Sequence, residues 1–255
     1  MRSGPQPVTV GFPEKPCPGS DGRTRWNASS AVPPCAVIRL LETLVADAHN
    51  VVAIASGRPA KDLDRWFGRI NGIWLFGEHG AEARDPQTGL WEALRPEASL
   101  EWKATVLPIL EHFVDRTPGS FVEEKKYSVV WHYRMAEPEF GAWLANELVS
   151  MLEAMLAETE LRAVRGEKIV EIKPVWANKG EALERLLVAR PSPDFLFAAG
   201  NDRTDEDLFE RASSTTGWTV HIGPGPTRAS FVVPDVEAIL AVLAVLPTSS
   251  HPITV

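Results

Sequence analysis

Three times along this chain a run of apolar residues stops at a glycine flanked by polar residues. Val51 to Ala55 leads into Ser56-Gly57-Arg58, Ile73 to Phe76 into Gly77-Glu78-His79-Gly80, and Phe195 to Ala199 into Gly200-Asn201-Asp202. Strands without in-and-out alternation are buried on both faces, the mark of a parallel sheet covered by helices. In such sheets the turns at the carboxyl ends gather along one edge, where α/β proteins bind ligands. The pattern therefore predicts an α/β fold with its chemistry at these turns.

The segments between the runs read as helices. Val37, Leu40, Leu41, Leu44 and Val45 form the stripe of an amphipathic helix, and a further helix covers Ala60 to Phe67. From Leu100 the character changes. Helices over Leu100–Val114 and Phe140–Met155 alternate with strands over 121–125, 127–134, 161–164 and 168–173, and these strands do alternate. Val129, Trp131 and Tyr133 oppose Ser128, His132 and Arg134; Val170 and Ile172 oppose Glu171 and Lys173. One polar face on each strand predicts a smaller sheet backed by two helices, an inserted α+β module whose other side opens on a crevice. The expected organisation is an irregular segment at 1–30, a first part of the core at 31–99, the insert at 100–174 and a second part of the core at 175–255. The opening segment carries one short strand-like run, Val8 to Phe12, among Pro5, Pro7, Gly11, Pro13, Pro16 and Pro18.

Composition narrows the functions. A net charge of -8 argues against a general nucleic-acid or membrane-surface binder, but leaves room for a local basic pocket that takes an anion. Cys17 and Cys35 are too few for a disulfide framework or a zinc-ligand set. No apolar run approaches the ~20 residues of a membrane span, and the opening lacks the apolar core of a signal peptide. The expectation is a cytoplasmic protein without nucleic-acid or membrane partners.

The turns themselves carry two readings each. Ser56, Gly57 and Arg58 offer backbone N–H groups, a hydroxyl and a guanidinium, a phosphate cradle or a plain serine-glycine turn. Lys179, in a helix's first turn where the dipole prefers anions, is explained by a bound phosphate or by simple solvation. Asn178 with Glu181 resembles a capping box. The acidic run after Gly200 is either helix capping, with Thr204 as N-cap, or a set of oxygen ligands for a hard cation. Glu123, Lys125, His132, Arg134 and Glu171 stand on strands of the insert. Two acids with several bases facing a crevice suit a polyhydroxylated ligand.

Taken jointly and in order, Ser56-Gly57-Arg58, Glu78-His79-Gly80, Glu123-Glu124-Lys125 with Ser128 and His132-Tyr133-Arg134, Gly166 to Pro174, Asn178-Lys179-Gly180 and Gly200 to Phe209 resemble the trehalose-6-phosphate phosphatases. These belong to the haloacid-dehalogenase-like phosphatases. The resemblance implies a Rossmann-like parallel-sheet core with an inserted α+β cap and a magnesium-dependent aspartyl-phosphate mechanism on a small-molecule sugar phosphate. It assigns Ser56 and Lys179 to the phosphoryl group and Asn201, Asp202 and Asp205 to Mg2+. It places Arg58, Glu78, His79, Gly80, Glu123, Lys125, His132, Arg134, Glu171 and Asn178 among the substrate-binding residues, with Glu123, Lys125, Arg134 and Glu171 gripping the disaccharide. An association with a trehalose-6-phosphate synthase belongs to the same picture.

Two positions depart from the family. Its first strand leads into Asp-x-Asp-Gly-Thr, and the match by spacing here is Gly19-Ser20-Asp21-Gly22-Arg23. Asp21 then stands as general acid/base, while Gly19 occupies the nucleophile's position and cannot form an acyl-phosphate. The usual Gly-Asp-Asp turn reads Gly200-Asn201-Asp202, with one carboxylate fewer for a metal. Three readings follow: a trehalose-6-phosphate phosphatase by descent, whose N-terminal sequence as given departs from the native one; a catalytically silent sugar-phosphate-binding or regulatory domain; and a phosphatase of another sugar phosphate.

Overall fold

A computed structural model describes residues 32–245 except Ser192 and Thr216. The opening segment, with Gly19 and Asp21, lies outside the described residues.

Helix α1 (Cys35–Ala46) precedes strand β1 (Ala53–Ala55), helix α2 (Ala60–Phe67) and strand β2 (Trp74–Gly77). Helix α2 begins and ends where its pattern predicts, because Leu63 and Phe67 lie one turn apart and bury together against Ile73 and Leu75. β1 and β2 pair in parallel, Ala53 beside Trp74. After a 3-10 turn at Glu78–Gly80 the chain forms an antiparallel hairpin of β3 (Glu82–Arg84) and β4 (Trp91–Ala93), which extends the sheet beyond β2. This hairpin was not foreseen. Its strands are three residues each and carry no apolar run.

The insert follows: α3 (Trp102–Arg116), β5 (Phe121–Glu124), β6 (Val129–His132), α4 (Pro138–Leu156), β7 (Leu161–Gly166) and β8 (Ile169–Pro174). Its antiparallel sheet runs β5-β6-β8-β7. Val129, Trp131, Val170 and Ile172 pack on Val106, Leu110 and Phe113 of α3 and Leu144, Leu148 and Leu152 of α4. The alternation read from the chain is therefore the real division between the faces. Ser128, Glu171 and Lys173 point the other way, yet all are buried, because that face lies against the core and not against water.

The chain returns through α5 (Lys179–Ala189), β9 (Phe197–Gly200), a 3-10 turn at Arg203–Asp205, α6 (Glu206–Ser213), β10 (Trp218–Ile222), β11 (Phe231–Val233) and α7 (Val236–Val245). Strands β11, β10 and β9 are parallel in that order. Among the described residues the core sheet is thus in two pieces, β1 to β4 and β9 to β11. Helix α5 joins them: Ala182 packs with Trp74 and Phe76, and Leu183 with Ala198. Among the described residues no helix is long and apolar enough to cross a membrane.

Candidate active site

The turns that end β1 and β2 are tied to each other. Ser56 O accepts from the His79 N–H (2.8 Å), and Arg58 O from the Glu78 N–H (2.9 Å). Glu78 and His79 sit at φ 44° and 63°, left-handed backbone that non-glycine residues seldom adopt. Two successive residues of this kind cost on the order of 1–3 kcal/mol each and persist only where their surroundings hold them. The Gly80 that follows also has positive φ (103°), and a Cβ there would lie 2.9 Å from Asn178 O. Gly57 is required for another reason: a Cβ on it would come within 2.6 Å of His79 Nε2.

The same turn is held from above by the insert. The Lys126 and Tyr127 N–H groups donate to the two carboxylate oxygens of Glu78, at 3.0 and 2.6 Å. Burial pushes the Glu78 carboxyl above its ordinary value, against the pull of those donors. His79 Nε2 lies 2.9 Å from Glu171 Oε2, while Glu171 Oε1 accepts from Ser128 Oγ (2.7 Å) and faces Lys125 Nζ at 3.5 Å. Lys125 Nζ also donates to Gly57 O (3.0 Å). Burial by itself raises Glu171, but His79, Lys125 and Lys173 outweigh it and hold the carboxylate well below its usual range. Burial lowers His79 despite the neighbouring carboxylate. The consistent state is a neutral imidazole donating Nε2–H to an ionised Glu171, which leaves the buried Nδ1 an acceptor without a partner.

Below this cluster stands the lysine at the start of α5. Lys179 Nζ meets Asp205 Oδ1 at 2.5 Å, both side chains buried. Asp205 Oδ2 takes the N–H groups of Asn201 and Asp202, at 2.9 and 2.8 Å. Asp202, not Thr204, caps the 3-10 turn that starts α6, since its carboxylate reaches the Arg203 N–H (3.0 Å) and forms a capping box with Asp205. The acids thus act as caps and as counter-ions. Glu206 accepts from Thr227 and the Arg228 backbone, and Asp207 pairs with Arg162 of β7 at 2.7 Å.

Of the residues singled out in the sequence, the structure joins Gly57, His79, Lys125 and Glu171 in one network and Lys179, Asn201, Asp202 and Asp205 in another. The rest are otherwise engaged. Arg58 stacks over Trp66 of α2 (5.0 Å). Asn178 caps α5 by accepting from the Glu181 N–H (2.9 Å), and the reciprocal half of a capping box is not formed. Glu123 is bonded to His132 (2.9 Å), which holds its carboxyl below the ordinary value. Arg134 reaches Glu167 at 3.4 Å. Reasoning from sequence missed Lys173, whose Nζ donates to Ala177 O (2.7 Å) from a fully buried position, though its place on the polar parity of β8 was a signal.

A core with parallel strands and an α+β module over their carboxyl ends is the haloacid-dehalogenase-like architecture. The comparisons narrow that class. The trehalose-phosphatase family model matches residues 21–235. A trehalose-phosphatase of Schizosaccharomyces pombe is 38% identical over 184 residues, 72% of this chain and 22% of that protein. A bifunctional trehalose-6-phosphate synthase/phosphatase of Thermoproteus tenax is 38% identical over 213 residues, 84% of this chain and 28% of that protein. Among solved structures, the C-terminal domain of C. albicans trehalose-6-phosphate phosphatase superposes with a TM-score of 0.82 at 27% identity, covering 89% of this chain and 88% of that one. The chain belongs to the trehalose-phosphatase family. It spans about a quarter of the length of the curated relatives it matches.

Proposed function

We propose that this chain is a phosphoric monoester hydrolase that converts trehalose 6-phosphate to trehalose and phosphate. The observation that carries the reading is the junction at His79. Near that imidazole stand a lysine at a helix N-terminus, which suits a phosphate, and a buried acid bonded to a serine and facing a lysine, which suit a sugar. Lys179, the Ser56 turn and the first N–H groups of α5 suit a phosphoryl group. Lys125, Glu171 and the orphaned His79 Nδ1 suit hydroxyls, donating and accepting in turn. Glu123, His132 and Arg134 stand further out along the same module, where a second glucosyl ring extends. Arg58, Gly80 and Asn178 shape the floor.

In the family's mechanism an aspartate attacks phosphorus, the sugar leaves with a proton from a second carboxyl, and water then cleaves the acyl-phosphate. Asp21 matches the second carboxyl. Gly19, at the first, has no oxygen to attack with. Magnesium is the cofactor the family implies, and the described acids do not by themselves fit it. Asp205 is committed to Lys179 and two backbone N–H groups, leaving one carboxylate, Asp202, beside the Asn201 amide. A cytoplasmic setting belongs to this reading, as does association with a trehalose-6-phosphate synthase, which the name of the bifunctional T. tenax relative supports.

Gly19 and Asn201 favour a second reading, a sugar-phosphate-binding domain without turnover. Phosphate release from trehalose 6-phosphate, with and without magnesium, separates the two when measured on this chain and on Gly19→Asp. Descent predicts that the substitution raises turnover. Tight binding of the ester by both proteins with release by neither would establish the silent domain in its place.

A further inference from the structure

We propose that Glu78 is a positioning residue, which locks the 125–128 segment of the insert onto the core and so sets Lys125 over the phosphate turn. The inference rests on the sugar-phosphate reading above, yet Glu78 itself is given no contact with the ligand.

Glu78 is almost wholly buried (2% exposed), and its two carboxylate oxygens accept from the Lys126 and Tyr127 N–H groups. Both oxygens of Glu78 thus accept from the insert's own backbone, which gives the side chain a structural task. What it does hold is a segment whose other members reach the core turns and Glu171. Lys125 reaches Gly57 O and Glu171, and Ser128 donates to Glu171. The Lys126 side chain meets Glu82 of β3 at 2.9 Å, a second tie to the core. At its other end Glu78 hangs from Arg58 O through its own N–H. One residue thus links the turn that suits the phosphate to the segment that suits the sugar. The left-handed backbone at Glu78 gives a reason for the strain: it directs the carboxylate at the two N–H groups.

Ring packing offers a rival anchor. Tyr127 is buried against Trp176 (ring centroids 5.8 Å apart) with Ala81 and Ala177, and that contact alone would fix the segment if Glu78 were a bystander. Amide hydrogen exchange separates the two. In Glu78→Gln the carboxamide puts an NH2 against one N–H, so exchange at Lys126 and Tyr127 is expected to quicken at least about tenfold, the worth of one charge-assisted bond. Exchange at Val129–Trp131, inside the insert's sheet, stays as in the parent and reports an intact fold. Trehalose 6-phosphate affinity is expected to fall about tenfold while inorganic phosphate affinity stays within about twofold, because only the sugar grip is displaced. Glu78→Asp keeps the charge but loses reach, and should recover part of the protection. Lys125→Ala should weaken the ester without touching exchange at Tyr127. Unchanged exchange at Lys126 and Tyr127 in Glu78→Gln would overturn the proposal, as would an equal loss of phosphate and ester affinity. A parent that binds no trehalose 6-phosphate would defeat the functional reading alone, since the exchange experiment still decides the lock.

Discussion

Lys179→Ala is expected to lose phosphate binding and a large part of its stability together. The ammonium and the Asp205 carboxylate are both buried, 2.5 Å apart, so deleting the lysine strands a charge inside the protein. Breaking such a pair from one side costs roughly 3–5 kcal/mol. Asp205 keeps two backbone donors, from Asn201 and Asp202, which places the expected loss near the lower end, about 3 kcal/mol. Against a typical stability of about 5–15 kcal/mol that is large but survivable. Asp205→Asn leaves the buried Lys179 ammonium without its counter-charge in turn, but should cost less, because the amide oxygen still accepts from it. The double variant Lys179→Ala with Asp205→Asn should recover part of the first loss. Urea melts on the four proteins of this cycle isolate the pair's coupling. Phosphate titrations on the same proteins should show binding abolished wherever Lys179 is absent, including in the rescued double variant. Phosphate bound equally by parent and Lys179→Ala would reduce the lysine to a structural counter-ion.

That pair also marks where reading the chain stops being possible. Features with a short period were legible. The 3.6-residue stripe of α1 and the two-residue alternation of β6 and β8 are local consequences of which face is buried, and both are as the periodicity implies. So was the acidic turn, though its cap sits at Asp202 because a 3-10 turn precedes α6, a distinction that no side-chain pattern encodes. The hairpin β3–β4 escaped because three-residue strands have no period to detect. Partnerships across the chain were out of reach for a different reason. His79 and Glu171 lie 92 residues apart, and Glu78 and Tyr127 lie 49 apart. Nothing in either neighbourhood says that the Glu78 carboxylate would be spent on backbone N–H groups of the insert. The resemblance to a family supplied the residues' company and counted Glu78 among the substrate-binding residues, but it did not supply the two backbone N–H groups that its buried carboxylate accepts from.

The buried Lys173 makes a prediction about pH that has the opposite sign from most lysines. Burial pushes its ammonium down to about 7, although Glu171 and Asp207 pull it back up; Arg162 and Lys179 push further down. In the unfolded chain the same group keeps its ordinary value of 10.5. Between those two values the unfolded chain holds a proton that the folded protein has released. Stability therefore rises with pH across that window, at up to about 1.4 kcal/mol per unit, and levels off below about 7, where both states are protonated. Denaturation midpoints at pH 7, 8 and 9 measure the slope. Lys173→Met removes the titrating group and fills its space with a flexible apolar chain, at the cost of the bond to Ala177 O, about 1–3 kcal/mol. The variant should be somewhat weaker at pH 9, close to the parent at pH 7, and flatter in between by about 1 kcal/mol per unit. Parallel slopes in the two proteins would mean that Lys173 stays charged when folded, held by Glu171 and Asp207. Glu171 would then face two cations and not one, and Lys125 would be a weaker determinant of that site than the geometry around Gly57 implies.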